Sequence, residues 1–258
     1  MQQRRPGFPA RIAPSVPGGQ RPAAVPAVQR PVSIPAPAGL GLDSAAVRAR
    51  MVQRLAAGGV SSGAVLTAMG AVERHRFVDS ALVNQAYEDT SLPIGLGQTI
   101  SKPSVVARMM ELLLGAEIAR SAAGLGRVLE VGTGCGYQAA VLARLAREVY
   151  SIERLRGLHE KARTNLRPLR LANVHLILGD GMEGYAKGAP YAGIVAAAGG
   201  SQLPLAWCEQ LAVGGRLVAP TALADGQQVL LVVDKTAHGL KQTVLEPVHF
   251  VPLKSGVA

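Results

Sequence analysis

The chain has 258 residues, 48% hydrophobic and 17% charged, a composition that supports one packed domain with chain to spare. It holds no apolar run of about eighteen residues, which excludes a membrane-spanning helix, so no membrane partner is expected. The net charge is +10, but half of that excess lies in residues 1–42, which carry five arginines and no acidic residue.

Residues 1–42 also hold nine of the 17 prolines and show no apolar periodicity. Such a segment buries too little surface to offset its ordering entropy, so a disordered, basic, proline-rich arm is expected there. No continuous apolar stretch follows Arg4–Arg5, which argues against a secretory signal. A basic arm can touch nucleic acid non-specifically, but stacking aromatics are nearly absent from it, which favours a solvated extension. Two cysteines, Cys135 and Cys208, form no disulfide framework, which fits a reducing, cytoplasmic compartment. The five histidines are scattered without ligand spacing, so no metal is expected.

Order is expected from Asp43. The run DSAAVRARMVQRLAAGG places Val47, Met51, Val52 and Leu55 on one helical face and stops at Gly58–Gly59. SSGAVLTAMGAV reads as a second helix capped by Ser61 or Ser62, and KPSVVARMMELLLG as a third, with Pro103 in its first turn. Between them, SLPIGLGQTISKP fits neither helical nor strand periodicity. From Arg127 the pattern alternates: strands at 127–132, 148–153, 174–180, 192–198 and 215–220, and helices at 137–146, 155–167 and 203–211. Two β segments, 227–235 and 245–253, close the chain with no helix between them. The expected fold is α/β: a Rossmann-like, doubly wound, mostly parallel sheet with an antiparallel C-terminal edge hairpin and an N-terminal helical cover. The division expected is an arm at 1–42 and one domain at 43–258, with the cover at 43–126 and the sheet at 127–258.

Ligands in such sheets bind beyond the carboxyl ends of the strands, where strand order reverses. The first strand ends in LEVGTGCGYQ, where Gly132, Gly134 and Gly136 alternate and open a helix. A dinucleotide fingerprint would space its glycines differently, and Glu130 in the strand suits a cationic ligand group better than a pyrophosphate. Glu153 ends the second strand, where a carboxylate can accept both ribose hydroxyls. Asp180 ends the third, before Gly181, placed to meet an adenine. Singly, these residues have plainer roles: a partly exposed strand residue, an N-cap partner and a turn former. Together they describe a positively charged nucleoside, S-adenosyl-L-methionine.

With these features in place, the sequence resembles the protein-L-isoaspartate O-methyltransferase family, class I enzymes dependent on S-adenosylmethionine. The marks are RFVD (76–79), AYED (86–89), LPIGLGQTIS (92–101), VLEVGTGCGYQAAVLA (128–143), LGDG (178–181) and GGRLVAP (214–220), covering the chain from about residue 43 onward. The resemblance implies methyl transfer to the α-carboxylate of L-isoaspartyl and D-aspartyl residues in damaged peptides and proteins, with the ester closing to a succinimide as a repair step. It implies Ser101 as the active-site serine and cofactor contacts from Thr99, Ile100, Ser101, the Gly132–Gly136 turn, Glu153, Asp180, Gly181 and Gln228. A carboxylate nucleophile is already ionised near pH 7, so positioning and exclusion of water suffice without a strong general base. Lys102 either draws in acidic substrates or is simply solvated. Cys135, inside the turn, is expected to block cofactor binding when alkylated, and Cys208 to pack with Trp207.

The chain departs from the family pattern at Ala192, where an acidic residue is usual, at Ala197, where threonine is common, and at Thr221–Ala222, where a glycine often stands. The first two are expected to alter the polar network near the fourth strand. Two alternatives remain. One is a class I methyltransferase for RNA or a small molecule, although no N/D-P-P-Y/F motif follows the fourth strand. The other is a non-catalytic relative.

Overall fold

The computed structural model describes residues 45–122 and 124–258. The expected arm at 1–42 and the expected start of order at Asp43 lie outside the described residues.

Three helices lead the chain: α1 (Ala45–Ala57), α2 (Gly63–Ala71) and α3 (Pro103–Leu114). Helix α1 buries Met51 and Leu55 and ends as its glycines demand. Gly58 N–H returns to Arg54 O (2.8 Å) and Val60 N–H to Leu55 O (3.1 Å), across Gly59 at φ +103°. Ser62 caps α2 by accepting from Val65 N–H. Pro103 opens α3, whose apolar face buries Val106, Met109, Met110 and Leu113.

SLPIGLGQTIS, read from sequence as neither helix nor strand, is a small antiparallel hairpin. Strands β1 (Leu92–Gly95) and β2 (Gln98–Ile100) pair across a tip at Leu96–Gly97. Gly95, Leu96 and Gly97 all have positive φ, +96°, +51° and +70°, so the tip depends on glycines on both sides of a strained leucine. A four-residue strand followed by a three-residue one is too short for period-two alternation to show.

After the short helix α4 (Glu117–Ser121) come β3 (Leu125–Val131), α5 (Tyr137–Leu142), β4 (Ala146–Glu153), α6 (Arg156–Leu166), β5 (Val174–Leu178), β6 (Tyr191–Ala196), α7 (Leu205–Gln210), β7 (Leu211–Ala222), β8 (Gln228–Thr236) and β9 (Gly239–Pro247). They build a seven-stranded sheet in the order β5-β4-β3-β6-β7-β8-β9. The first five strands are mutually parallel, and β8 and β9 are added antiparallel. The expected edge hairpin is present, but its second strand is 239–247 rather than 245–253. Strand β9 is almost wholly exposed and polar (Lys241, Gln242, Thr243), as suits a sheet edge, whereas the more apolar PVHFVPL leaves the sheet.

The sheet is buried on both faces. Val128, Val149, Val195 and Val218 join the larger core with the leading helices, α5 and α6. Leu129, Ile152, Ile194 and Leu217, an odd number of residues along the same strands and so on the opposite face, form a second core with Trp207 of α7. Order reverses at β3, which has β4 on one side and β6 on the other. That places the glycine turn at the position where such sheets bind ligands.

Candidate active site

The turn after β3 is glycine at three places, and they serve two purposes. Gly132, Gly134 and Gly136 have φ of +93°, +56° and +91°. A Cβ on Gly134 would stand 3.1 Å from Ile94 of the hairpin, and one on Gly136 3.0 Å from Leu166 of α6. Gly136 therefore serves the packing of α5 on α6, while Gly132 and Gly134 face a cleft.

That cleft is lined by Thr99, Gly132, Gly134, Glu153 and Gly181, together with residues past β6 and from the C-terminal tail. A narrower recess shares Ile94, Thr99, Gly132, Gly134 and Ala197 with it and adds Ile100, Ser101, Thr133, Cys135, Tyr137 and Gln138. The hairpin thus walls both spaces, and Ser101 belongs to the inner one.

Glu153 is buried, and both its oxygens are held by the main chain: Gly134 N–H donates to Oε2 (2.9 Å) and Leu155 N–H to Oε1 (2.9 Å). A carboxylate fixed in this way keeps lone pairs for neutral hydroxyl donors and would repel a phosphate. The Gly181 backbone is pinned by Trp207, whose indole N–H donates to its carbonyl (2.8 Å). A Cβ at Gly181 would lie 2.5 Å from Val131, so only glycine passes there.

Four expected cofactor residues line neither space: Gly136, which serves the packing of α5 on α6, and Glu130, Asp180 and Gln228. Glu130 lies fully buried, with Oε2 hydrogen-bonded to Ser151 and Oε1 without a partner. Burial pushes its carboxyl up to about 8, against the weaker pull of Ser151 and Gln138. Asp180 accepts from Met182 N–H (2.8 Å) and Gly256 N–H (2.6 Å), capping a short turn and tying down the tail. Gln228 accepts from Phe250 N–H (2.7 Å) and braces the start of the tail. Lys102 is exposed and lines neither space.

The tail itself escaped the sequence reading. Gly199, beyond β6, donates to Val251 O (2.9 Å) and accepts from Leu253 N–H (2.8 Å). Farther on, Arg154 Nε donates to Gly256 O (2.9 Å), and Arg156 N–H to Ala258 O (2.8 Å). Residues 251–258 therefore run from the end of β6 to the end of β4, across the end of β3. Nothing in VHFVPLKSGVA marks this path, because its partners lie far off in sequence.

The departure at Ala192 lies away from the cleft. It is the second residue of β6, whose far end opens on the cleft, about 16 Å away along an extended strand. Ala197 does line both spaces. Thr221 donates to Gly200 O (3.3 Å) and so ties β7 to the β6 end.

Residues 46–258 match the family model of protein-L-isoaspartate(D-aspartate) O-methyltransferase. The chain belongs to this family. It is 57% identical to the protein-L-isoaspartate O-methyltransferase of Methylibium petroleiphilum, covering 99% of this chain and 98% of that one. Its identity to the Leptothrix cholodnii protein of the same name is 58%, over 96% and 87%. A solved protein-L-isoaspartate O-methyltransferase superposes with a TM-score of 0.72 at 29% identity, covering 81% of this chain and 67% of that chain. A Plasmodium falciparum structure described as a complex with S-adenosyl-L-homocysteine shares the fold, with a TM-score of 0.67 at 24% identity, over 80% and 98%. Within the isoaspartyl methyltransferase family, the hairpin, the glycine turn and the carboxylate at the end of β4 are the parts of this chain that enclose its cleft.

Proposed function

We propose that the large cleft holds S-adenosylmethionine and that the recess at Ser101 receives the isoaspartyl side chain. As a member of its family, the chain is a carboxyl methyltransferase that uses this cofactor and acts on isoaspartyl residues of proteins. The single observation that carries the assignment of residues is the shared wall: Thr99, Gly132, Gly134 and Ala197 border both spaces, so cofactor and acceptor meet there.

The residues present fit the cofactor, because the buried Glu153 is held by backbone donors as a receptor for hydroxyls, next to glycines that admit close approach. When bound, the cofactor supplies an electrophilic methyl group. The chain's own contribution is positional. Glu153 would accept the ribose hydroxyls, the Gly132–Gly134 backbone would approach the ligand closely, and Gly181 would leave room for the base. Thr99, Ile100 and Ser101 would line the meeting point, with the Ser101 hydroxyl donating to the acceptor carboxylate and orienting it without neutralising its charge. Tail and hairpin exclude water, which strengthens each of these contacts. Glu130, Asp180 and Gln228 act behind the cleft: the first below its turn, the other two on its tail.

The decisive experiment is transfer of labelled methyl from S-adenosylmethionine to an isoaspartyl peptide, with the matched aspartyl peptide as control. Labelling of the first alone is expected; equal or absent labelling would defeat the reading. A hydrogen bond to a charged group contributes about 1.5–3 kcal/mol, so Ser101→Ala should lower kcat by about tenfold to a hundredfold. Cofactor affinity should change far less. No described helix is long and apolar enough to cross a membrane. The two free cysteines favour a cytoplasmic setting.

A further inference from the structure

The Ser101 recess presents a mismatch of charge. Among the described residues, its lining consists of apolar side chains, glycines, hydroxyls, the Gln138 amide and the Cys135 thiol, with no charged side chain. Yet it is the space assigned to the acceptor carboxylate. A carboxylate moved from water into such surroundings loses hydration that one hydroxyl cannot replace. Lys102, next in the chain, is exposed, so solvent and salt screen its charge.

One cation stands behind the wall of this recess. Arg74 is fully buried, and its guanidinium lies over the Tyr137 ring, 4.9 Å from the centroid. Its Nε donates to Ala86 O (2.8 Å) and Nη2 to Thr90 O (3.3 Å), while Nη1 is buried without a hydrogen-bond partner. Among the described residues Arg74 forms no ion pair. The carboxylate that acts on it is Asp89, the least of the influences, which is exposed and already held by Ser104. Burial pulls the guanidinium down from its ordinary range, but an arginine stays charged near pH 7. Two residues of the recess wall feel that charge. Burial pushes the Cys135 thiol up to about 11 and the Tyr137 hydroxyl up to about 12, and Arg74 pulls each of them back. A charge kept from water in this way is little screened, so its field reaches into the recess.

We propose that Arg74 is the counter-charge of the Ser101 recess: unpaired and buried behind Tyr137 and Cys135, it draws the acceptor carboxylate in through space and makes the recess selective for a negatively charged group. It touches neither the recess nor the cleft. Its position is set by the carbonyls of Ala86 and Thr90, in the segment that leads into the hairpin and on to Ser101. An unpaired buried cation is costly where an apolar side chain of similar volume is not, and an arriving carboxylate offsets that cost. The inference rests on the recess as the acceptor site and adds to it the residue that selects the acceptor's charge.

The test compares a fluorescently labelled isoaspartyl peptide with the same peptide carrying an α-carboxamide in place of the α-carboxylate. Binding of each is measured to the full chain saturated with S-adenosylhomocysteine, which lacks the sulfonium charge and permits no transfer. The wild type should bind the carboxylate peptide about tenfold more tightly, as a unit charge acting across an aromatic ring in a protein interior predicts. Arg74→Met should lose that preference while binding the carboxamide peptide as the wild type does, and Arg74→Lys should keep most of it. Salt supplies a readout that survives if neither variant folds. At about 0.5 M sodium chloride exposed charges are screened, so the wild-type preference should persist there, and it should persist in Lys102→Ala. Equal weakening of both peptides by Arg74→Met would show a scaffold role alone and overturn the proposal. A preference that survives Arg74→Met, that disappears in high salt, or that the wild type never shows would overturn it as well. Each of these leaves the recess standing as the acceptor site. Failure of the wild type to bind either peptide would sink both.

Discussion

At the scale of single residues, two buried acidic groups near the turn behave oppositely to the way a sequence suggests. Cys135 lies inside the glycine turn, where the sequence invites the idea of a reactive thiol. Its side chain is buried, and burial pushes the thiol up to about 11, so it is neutral and unreactive near pH 7. Iodoacetamide treatment of the folded protein, followed by mass mapping, should leave Cys135 unmodified and cofactor affinity unchanged. Glu130 has its own consequence for the ligand-free protein. Its pKa is raised from 4.5 to about 8 in the folded state, so between these values the folded chain binds a proton that the unfolded chain has lost. Its contribution to stability is full below pH 4.5 and lost as pH rises to about 8. Urea titrations across this window should show the wild type losing stability relative to Glu130→Gln, with the difference flat on either side. Neither behaviour is readable from residue type, since each depends on how completely water is excluded.

Among the elements, the β1–β2 hairpin shows how short motifs are held in place from a distance. Lys161 of α6 reaches it with one ammonium, donating to Ile94 O (2.9 Å) and to Asp79 (2.9 Å), which accounts for the aspartate of RFVD. Arg74, fully buried, donates to Ala86 O (2.8 Å) and lies over the Tyr137 ring at 4.9 Å, joining the segment before the hairpin to α5. Asp89 of AYED accepts from both Ser104 N–H (2.8 Å) and Ser104 Oγ (2.7 Å), capping α3 where no residue of the helix does so. Asp89→Ala should therefore cost about 1 kcal/mol in thermal or urea unfolding, as an N-cap does. Because Ser101 lies three residues before the capped serine, kcat should fall as well while the cofactor Kd stays nearly constant. Motif recognition found these aspartates. What each one holds became visible only when helices distant in sequence came together.

For the whole molecule, the C-terminal tail completes the cleft. It is stitched at Gly199 on one side and at Arg154, Arg156 and Asp180 on the other, so it bridges the strands on both sides of β3. Asp180 contributes through this closure: its two oxygens are taken by Met182 and Gly256 N–H. Asp180→Asn should weaken the charge-assisted bond to Gly256 and raise the cofactor Kd by about tenfold, with little loss of global stability. Calorimetry and thermal unfolding measured side by side check the two halves of that statement.

Sequence alone determined the alternating β/α order, the glycine turn, the carboxylates at the strand ends and the family, because periodicity, steric freedom and charge are local properties of a chain. The tertiary structure decided which of those carboxylates meets the cleft. Glu153 lines it, Glu130 lies below it, and Asp180 is turned to the tail. It also turned an irregular loop into a hairpin and moved the last strand from 245–253 to 239–247, leaving PVHFVPL to close the site. These outcomes rest on burial and on hydrogen bonds between residues many positions apart, and such partners leave no mark in the sequence near either of them.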